Sequence, residues 1–316
     1  MESREQLRSG PSIRIEVFRH DEKDTAEIDE TARLTIKGKQ NAVKIGKIKN
    51  PRLLQGYVVA SPRERAMHTA ALQFFGANFT ELNLAEKDFQ TGFEQIKNTL
   101  KNEHTIDLDD KFSIDERLNF NAASHPEFNE AFYSELNKND ANQTLDWQKN
   151  ESDELILNLA IKTQPTDTLA QAIHRIKGFK RMAGDLAEIL LEYFPKTHQW
   201  AQLYQQSTAN YDDPEMDIFI CTHSQNAECF LMRLIEMKEG AAYLEKFLDS
   251  LPHRKSFIGY SEGFRLILTE ANEEPMAQLN FNELSWSISA NDLQKMVEER
   301  DNFNKEVVKK LNEIRQ

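Results

Sequence analysis

Cysteine and long apolar runs are scarce in this sequence. Its 316 residues include two cysteines, Cys221 and Cys229. They lie so close in the chain that a disulfide between them would constrain little of the fold, and no further zinc ligands stand near them at the spacing of a zinc site. We therefore expect a reducing, cytoplasmic compartment. No stretch approaches the apolar run of roughly 18 residues that a membrane helix needs, and the N-terminal residues have no apolar core, so we expect neither a membrane segment nor a secretory signal.

Basic residues are also fewer than acidic ones, with 39 lysines and arginines against 52 aspartates and glutamates. The formal net charge is −13 at pH 7, which argues against a non-specific nucleic-acid binder, because such proteins hold phosphates with lysine and arginine. An anionic small substrate is still compatible with this charge, since a local cluster of arginines can override the mean field of a protein. The remaining composition, 39% hydrophobic and 29% charged, is that of an ordinary globular chain.

The N-terminal part of the chain alternates strand and helix patterns. IRIEVF (13–18) alternates apolar and charged residues as a strand does, and a helical pattern follows it, with Thr35 as the expected N-cap. GYVVASP (56–62) predicts a buried strand that runs into a second helix, where Ser61 and Glu64 would form a capping box. This order of elements is typical of an α/β sheet with parallel strands.

The middle of the chain has a different pattern. Residues from about 78 to 210 are mostly helical in their periodicity, and the clearest helix, at 166–194, would be ended by Pro195. We interpret 78–210 as a helical insertion or cap, and residues 1–77 with 211–316 as the core of one composite domain.

The α/β pattern returns in the last third of the chain. MDIFICTHS (216–224) predicts a buried strand followed by a helix, 264–270 and 277–288 predict a late hairpin, and 291–314 predicts a final amphipathic helix. We therefore expect a three-layer α/β/α fold with a mostly parallel central sheet.

Charged motifs stand where three of the predicted strands end. Arg19 and His20 end the first strand, Arg65 follows the second, and His223 follows the strand near the C-terminal third. Because the carboxyl ends of parallel strands share one edge of a sheet, these side chains are expected to converge. Two arginines, two histidines and two helix N-termini would form a pocket for a phosphoryl group. Arg63, on another helix face, is expected to be solvated.

The same motifs resemble those of the histidine phosphatase superfamily, which includes the phosphoglycerate mutases. That family has Arg-His-Gly-Glu after its first strand, then Leu-Thr-x-x-Gly-x-x-Gln-Ala, then Ser-x-x-x-Arg-Ala-x-x-Thr-Ala, and finally a His between a strand and a helix. The corresponding stretches here are RHDE (19–22), LTIKGKQNA (34–42), SPRERAMHTA (61–70) and ICTHSQN (220–226).

The resemblance implies a role for each residue of the expected pocket. His20 would be the nucleophile that forms a transient phosphohistidine, while Arg19, Arg65 and His223 would bind the phosphoryl oxygens as charge develops on them. Neither a metal nor another cofactor is implied.

Asp21 departs from this pattern, because the family has a glycine after the nucleophilic histidine. A carboxylate at that position would raise the pKa of His20 and repel phosphate unless it points away.

The general acid also departs from the pattern. Aligned on Leu118, the position at which the family has a glutamate is Phe120, which cannot donate a proton. Asp115 and Glu116 are the adjacent candidates, and Glu127 is a further one. We take Glu116 as the expected acid. The alternative is that these are ordinary solvated carboxylates.

Two functions therefore compete. The first is a metal-independent phosphatase that hydrolyses a phosphomonoester, in a phosphorylated small molecule or phosphopeptide. The second is a catalytically weak or inactive relative that binds an anionic ligand or a protein partner, which the missing acid and Asp21 favour.

Overall fold

The computed structural model describes residues 10–24, 32–76, 89–104, 110–119, 179–206, 214–250, 257–271 and 274–315. Its strands, in chain order, are β1 (Ser12–Arg19), β2 (Gly56–Ala60), β3 (Phe112–Ile114), β4 (Glu215–Thr222), β5 (Gly263–Ala271), β6 (Glu274–Phe281) and β7 (Leu284–Ile288). Its helices are α1 (Ile36–Lys49), α2 (Glu64–Phe74), α3 (Phe89–Thr99), α4 (Phe179–Leu191), α5 (Tyr193–Gln206), α6 (Ser224–Glu239), α7 (Ala241–Ser250) and α8 (Ala290–Arg315).

The strands form one seven-stranded sheet in the order β3-β2-β4-β1-β5-β6-β7. β3, β2, β4 and β1 run parallel, and β5, β6 and β7 continue the sheet as an antiparallel meander. The expected α/β class is confirmed. The late hairpin was incompletely predicted, because a turn at Asn282, with a φ of 52°, divides 277–288 into two strands.

Alternate residues of the central strand β4 enter two different cores. Ile218 and Ile220 pack with α4, α6 and α8, whereas Phe219 and Cys221 pack with α1 and α2. Because successive side chains of a strand point to opposite faces, helices cover the sheet on both sides. This arrangement is the expected three-layer architecture.

The two helices after β1 and β2 begin differently. Thr35 caps α1 as expected, and its hydroxyl accepts the N–H of Gly38 at 2.9 Å. Gly38 also lets α1 approach the chain after β1, since a Cβ there would lie 2.5 Å from the carbonyl oxygen of Glu22. The capping box predicted for α2 was wrong. That helix begins at Glu64 without a side-chain cap, because the Ser61 hydroxyl is bonded elsewhere, as described below.

Described parts of the range 78–210 contribute to the common layers. β3 extends the sheet, and α4 lies in the same core as β1 and β4. The helix predicted at 166–194 ends at Leu191, and Pro195 lies in the first turn of the next helix, α5, where a missing N–H costs little. The boundaries of an insertion at 78–210 are still a prediction, because residues 120–178 lie outside the described ranges.

None of the described helices is both long and apolar enough to cross a bilayer.

Candidate active site

The backbone brings the ends of β1, β4 and β2 to one edge of the sheet. Arg19 pairs with Thr222 in the parallel ladder, and the N–H of His20 donates to the Thr222 carbonyl at 3.0 Å. On the other side of β4, the N–H of Ser61 donates to the Cys221 carbonyl at 3.0 Å. Residues far apart in the chain therefore share one rim, because β4 lies between β1 and β2.

Two imidazoles and a guanidinium meet at this rim. The ring centroids of His20 and His223 are 5.2 Å apart, with planes at 70°, and the rings are almost fully buried. Arg65, in the first turn of α2, donates from Nε to His20 Nε2 at 3.1 Å. His223 occupies the N-cap position of α6, so the N-termini of two helices adjoin the pocket and add positive potential.

The contacts of His20 define its tautomer. Nδ1 lies 2.7 Å from the carbonyl oxygen of Asp21, which can only accept, so Nδ1 carries the proton. Nε2 accepts the N–H of Arg65 and therefore holds a lone pair. The ring is a neutral imidazole whose unprotonated nitrogen faces a cation.

Burial and neighbouring cations keep both histidines neutral. Burial lowers the pKa of His20 well below its usual value, and the charges of Arg65 and Arg19 lower it further. The pKa of His223 is lowered for the same reasons, and its Nε2 lies 2.9 Å from the Ser61 hydroxyl. The pKa of His20 is thus not raised, as expected for the case in which the Asp21 carboxylate points away. The bond to the Asp21 carbonyl raises that pKa, but less than the other effects lower it.

The Asp21 side chain is bound to donors other than His20. Its carboxylate accepts from the N–H of Glu22 at 2.7 Å, from Asn41 Nδ2 at 2.7 Å and from the Ser261 hydroxyl at 2.5 Å. Its backbone N–H donates to Thr69 Oγ1 at 3.0 Å. These bonds hold the Asp21 carbonyl against His20, while the Asp21 carboxylate is stabilised by donors other than His20.

Asp21→Gly is expected to destabilise the protein, although glycine is the residue that the resemblance predicts there. Removing the carboxylate leaves the buried Ser261 hydroxyl and the half-buried Asn41 amide without their acceptor, which costs about 2–4 kcal/mol in the free energy of unfolding. Denaturant titration measures the loss of stability. Asp21→Ala also removes the carboxylate but does not add the backbone flexibility of glycine, so it isolates the contribution of the hydrogen bonds. Equal stability of the parent and both variants would show that these bonds contribute nothing.

Arg19 is held by a segment for which the sequence carried no recognisable motif. Its guanidinium donates to the Ile258 carbonyl at 3.2 Å and lies over the Tyr260 ring, with Cζ 4.4 Å from the ring centroid. Arg19 is close enough to both histidines for its charge to lower their pKa values. Four of the expected site residues, Arg19, His20, Arg65 and His223, thus lie together.

Arg63 lies nearer to the pocket than expected. Its Nε donates to the Asn119 side chain at 3.2 Å, and its charge contributes to the lowered pKa of His223. Arg63 is partly exposed to solvent as expected, and residues 115–119 in addition bring a polar side chain to this end of α2.

The candidate acids lie in the short helical turn Glu116–Leu118. The Asp115 N–H donates to the Ala60 carbonyl at 2.9 Å, which attaches the turn to the end of β2. The Asp115 carboxylate is paired with Arg117 at 2.6 Å. Glu116 is exposed, and its role as proton donor stays a proposal. Phe120 and Glu127 lie outside the described residues.

Within the described ranges, no group of three or more histidine, cysteine, aspartate or glutamate side chains is arranged to hold a metal ion. The site consists of a neutral imidazole with an unprotonated Nε2, a second imidazole, a serine hydroxyl and arginines. Such a set can receive a tetrahedral anion and stabilise charge that develops on it.

Comparisons with known proteins leave the family open. No family profile and no curated protein matches the chain. Similar solved structures include a phosphoserine phosphatase variant from Entamoeba histolytica in complex with phosphoserine, with 11% identity, a TM-score of 0.30 and coverage of 84% of this chain and 94% of that one. A phytase from Citrobacter braakii has 11% identity, a TM-score of 0.37 and coverage of 93% and 98%. A Hafnia alvei phytase has 10% identity, a TM-score of 0.34 and coverage of 93% and 97%. These similarities are too low to carry an argument about this chain.

Proposed function

We propose that the protein is a phosphatase that hydrolyses a phosphomonoester through a phosphohistidine at His20. The observation that carries the proposal is the state of His20 Nε2, which belongs to a buried neutral imidazole and lies 3.1 Å from the Arg65 guanidinium. An unprotonated nitrogen is suited to attack a phosphoryl group, and a fixed cation beside it is suited to stabilise the charge that develops.

The proposed reaction has two displacements. Nε2 of His20 bonds to phosphorus as the ester P–O bond breaks, and the leaving oxygen takes a proton from an acid, for which Glu116 is our candidate. Water then attacks phosphorus and gives a proton to the carboxylate that the acid became in the first step. The P–N bond breaks, its electron pair returns to Nε2 of His20, and phosphate leaves. Arg19, Arg65 and His223 bind the phosphoryl oxygens in both steps, so Arg65 exchanges its bond to Nε2 for one to the substrate. No metal ion takes part.

A second candidate function is anion binding without turnover. The carboxylates of Asp21 and Asp115 favour it, because both are engaged with other partners and are poorly placed to donate a proton to a leaving group. Asp21 accepts three hydrogen bonds, and Asp115 pairs with Arg117. In this case a phosphorylated small molecule or phosphopeptide would be a ligand and not a substrate.

Turnover distinguishes the two functions. The protein is incubated with an aryl phosphate, whose leaving group needs little protonation, in the presence of EDTA. Release of inorganic phosphate that persists in EDTA supports the phosphatase. No release above background, together with tight binding of phosphate, supports the binder.

Arg65→Ala is expected to remove the stabilisation of the protein by oxyanions. Vanadate or phosphate at about 100 times its Kd adds about 2.7 kcal/mol to the stability of a protein that binds it only when folded, equivalent to several degrees in Tm. Arg65→Ala should abolish this rise, which differential scanning fluorimetry measures, while Arg233→Ala on α6 serves as the control and should retain it. A full rise in Arg65→Ala would show that Arg65 does not bind the anion.

A further inference from the structure

The backbone of residues 257–262 runs beside Arg19. The N–H of Arg19 donates to the Glu262 carbonyl at 2.9 Å, and the N–H of Ser261 donates to the Arg19 carbonyl at 3.2 Å. The Arg19 guanidinium then donates to the Ile258 carbonyl at 3.2 Å. Both the main chain and the side chain of Arg19 are therefore bound to one short segment.

Tyr260 is the side chain of this segment that reaches the pocket. Its ring lies under the Arg19 guanidinium, with Cζ 4.4 Å from the centroid, and its centroid is 6.3 Å from that of His20. The ring is also 40% exposed, so it forms part of the open wall of the pocket. A cation over an aromatic face is attracted by the ring quadrupole, and more strongly where water is excluded.

Two buried contacts fix the position of Tyr260. Ser261, the next residue, has a φ of 59°, which a serine adopts only at a cost, and its hydroxyl bonds to the buried Asp21 carboxylate at 2.5 Å. Before Tyr260, the N–H of Ile258 donates to Glu228 Oε1 at 3.0 Å. The strained turn is thus held at both ends, and Tyr260 is presented to Arg19 by a rigid support.

We infer that Tyr260 is a positioning residue that holds the Arg19 guanidinium in place for the phosphoryl group. The inference rests on the proposed function, because it gives Arg19 an anion to bind. A free arginine side chain loses rotamer entropy when it binds a ligand, whereas one already ordered by Tyr260 and Ile258 does not. Preorganised donors of this kind stabilise a transition state more effectively than mobile ones.

Substitution of Tyr260 tests the inference. Tyr260→Leu removes the aromatic face, and we expect vanadate affinity and kcat for an aryl phosphate to fall by about 2- to 30-fold, the range between an exposed and a desolvated cation–π contact. Tyr260→Phe keeps the ring and should lose at most about threefold. Tyr243→Leu is the matched control, since Tyr243 has the same 40% exposure but lies on α7, and it should behave as the parent.

A double-mutant cycle shows whether Tyr260 acts through Arg19. In an Arg19→Lys background, which lacks the planar guanidinium, Tyr260→Leu should cost much less than it does alone. An equal cost in both backgrounds, or no cost in the parent background, would overturn the inference. If the parent itself neither binds vanadate nor hydrolyses the ester, the proposed function fails instead. NMR then still tests the contact, because the ring-current shift of the Arg19 side chain should survive in Tyr260→Phe and vanish in Tyr260→Leu.

Discussion

His20→Ala is expected to lower the rate of aryl phosphate hydrolysis by at least about 10³-fold, since loss of a nucleophile removes the covalent route. The side chain of His20 is nearly fully buried, and its Nε2 accepts a hydrogen bond from Arg65. Steady-state release of phosphate measures the effect. A good aryl leaving group makes the result independent of the identity of the general acid.

His198→Ala is the matched control for this prediction. His198 is a histidine on α5 whose side chain is 50% exposed and bonded to Glu270, so its removal should leave turnover unchanged. The parent protein, quenched during turnover, should also carry a phosphoryl group that is lost in acid and retained in base, as a phosphohistidine is, and His20→Ala should carry none. Equal turnover in parent and His20→Ala would exclude His20 as the nucleophile.

The second large effect is on stability in acid. The pKa values of His20 and His223 are both well below that of an unfolded histidine, mainly because of burial. Below about pH 6.5 the unfolded chain therefore binds protons that the folded protein does not, and stability falls as pH decreases. For each histidine that stays neutral in the folded protein, stability falls by up to about 1.4 kcal/mol per pH unit, until the pH reaches the pKa of that histidine in the folded state.

His223→Gln should reduce this acid sensitivity. Glutamine cannot titrate and keeps polar atoms that can bond to Ser61, so the loss of stability between pH 6 and pH 5 should be smaller than in the parent by about 1 kcal/mol. Urea titrations at several pH values give the two slopes. His198→Gln, at an exposed position, should keep the slope of the parent. Identical slopes in the parent and His223→Gln would contradict the neutral state of His223 in the folded protein.

The local elements of the core were predictable from the sequence. An apolar run that ends in charge identified β1, β2 and β4, the N-cap Thr35 identified the start of α1, and the periodicity of the last residues identified α8. Each of these signals lies within a few residues, because strand alternation, capping and helical periodicity are set by neighbours in the chain. The convergence of the strand ends also followed, since it needs only that the strands be parallel.

Side-chain partners at the site were not predictable in the same way. Ser61 was expected to cap a helix but bonds to His223. The sequence left open whether the Asp21 carboxylate points away from His20, and it bonds to Ser261. Tyr260 was not recognised at all. Each of these partners depends on which strands become neighbours and on how closely loops from distant parts of the chain approach one another.

The sequence alone therefore determined the type of sheet, its parallel strands and the residues placed at their carboxyl ends. Only the tertiary structure decided the protonation state of His20, the orientation of Asp21 and the wall that holds Arg19. The physical reason is that propensity and periodicity act over a few residues, whereas desolvation and buried hydrogen bonds depend on groups more than 200 positions apart, as in the bond between Ser261 and Asp21 with its separation of 240.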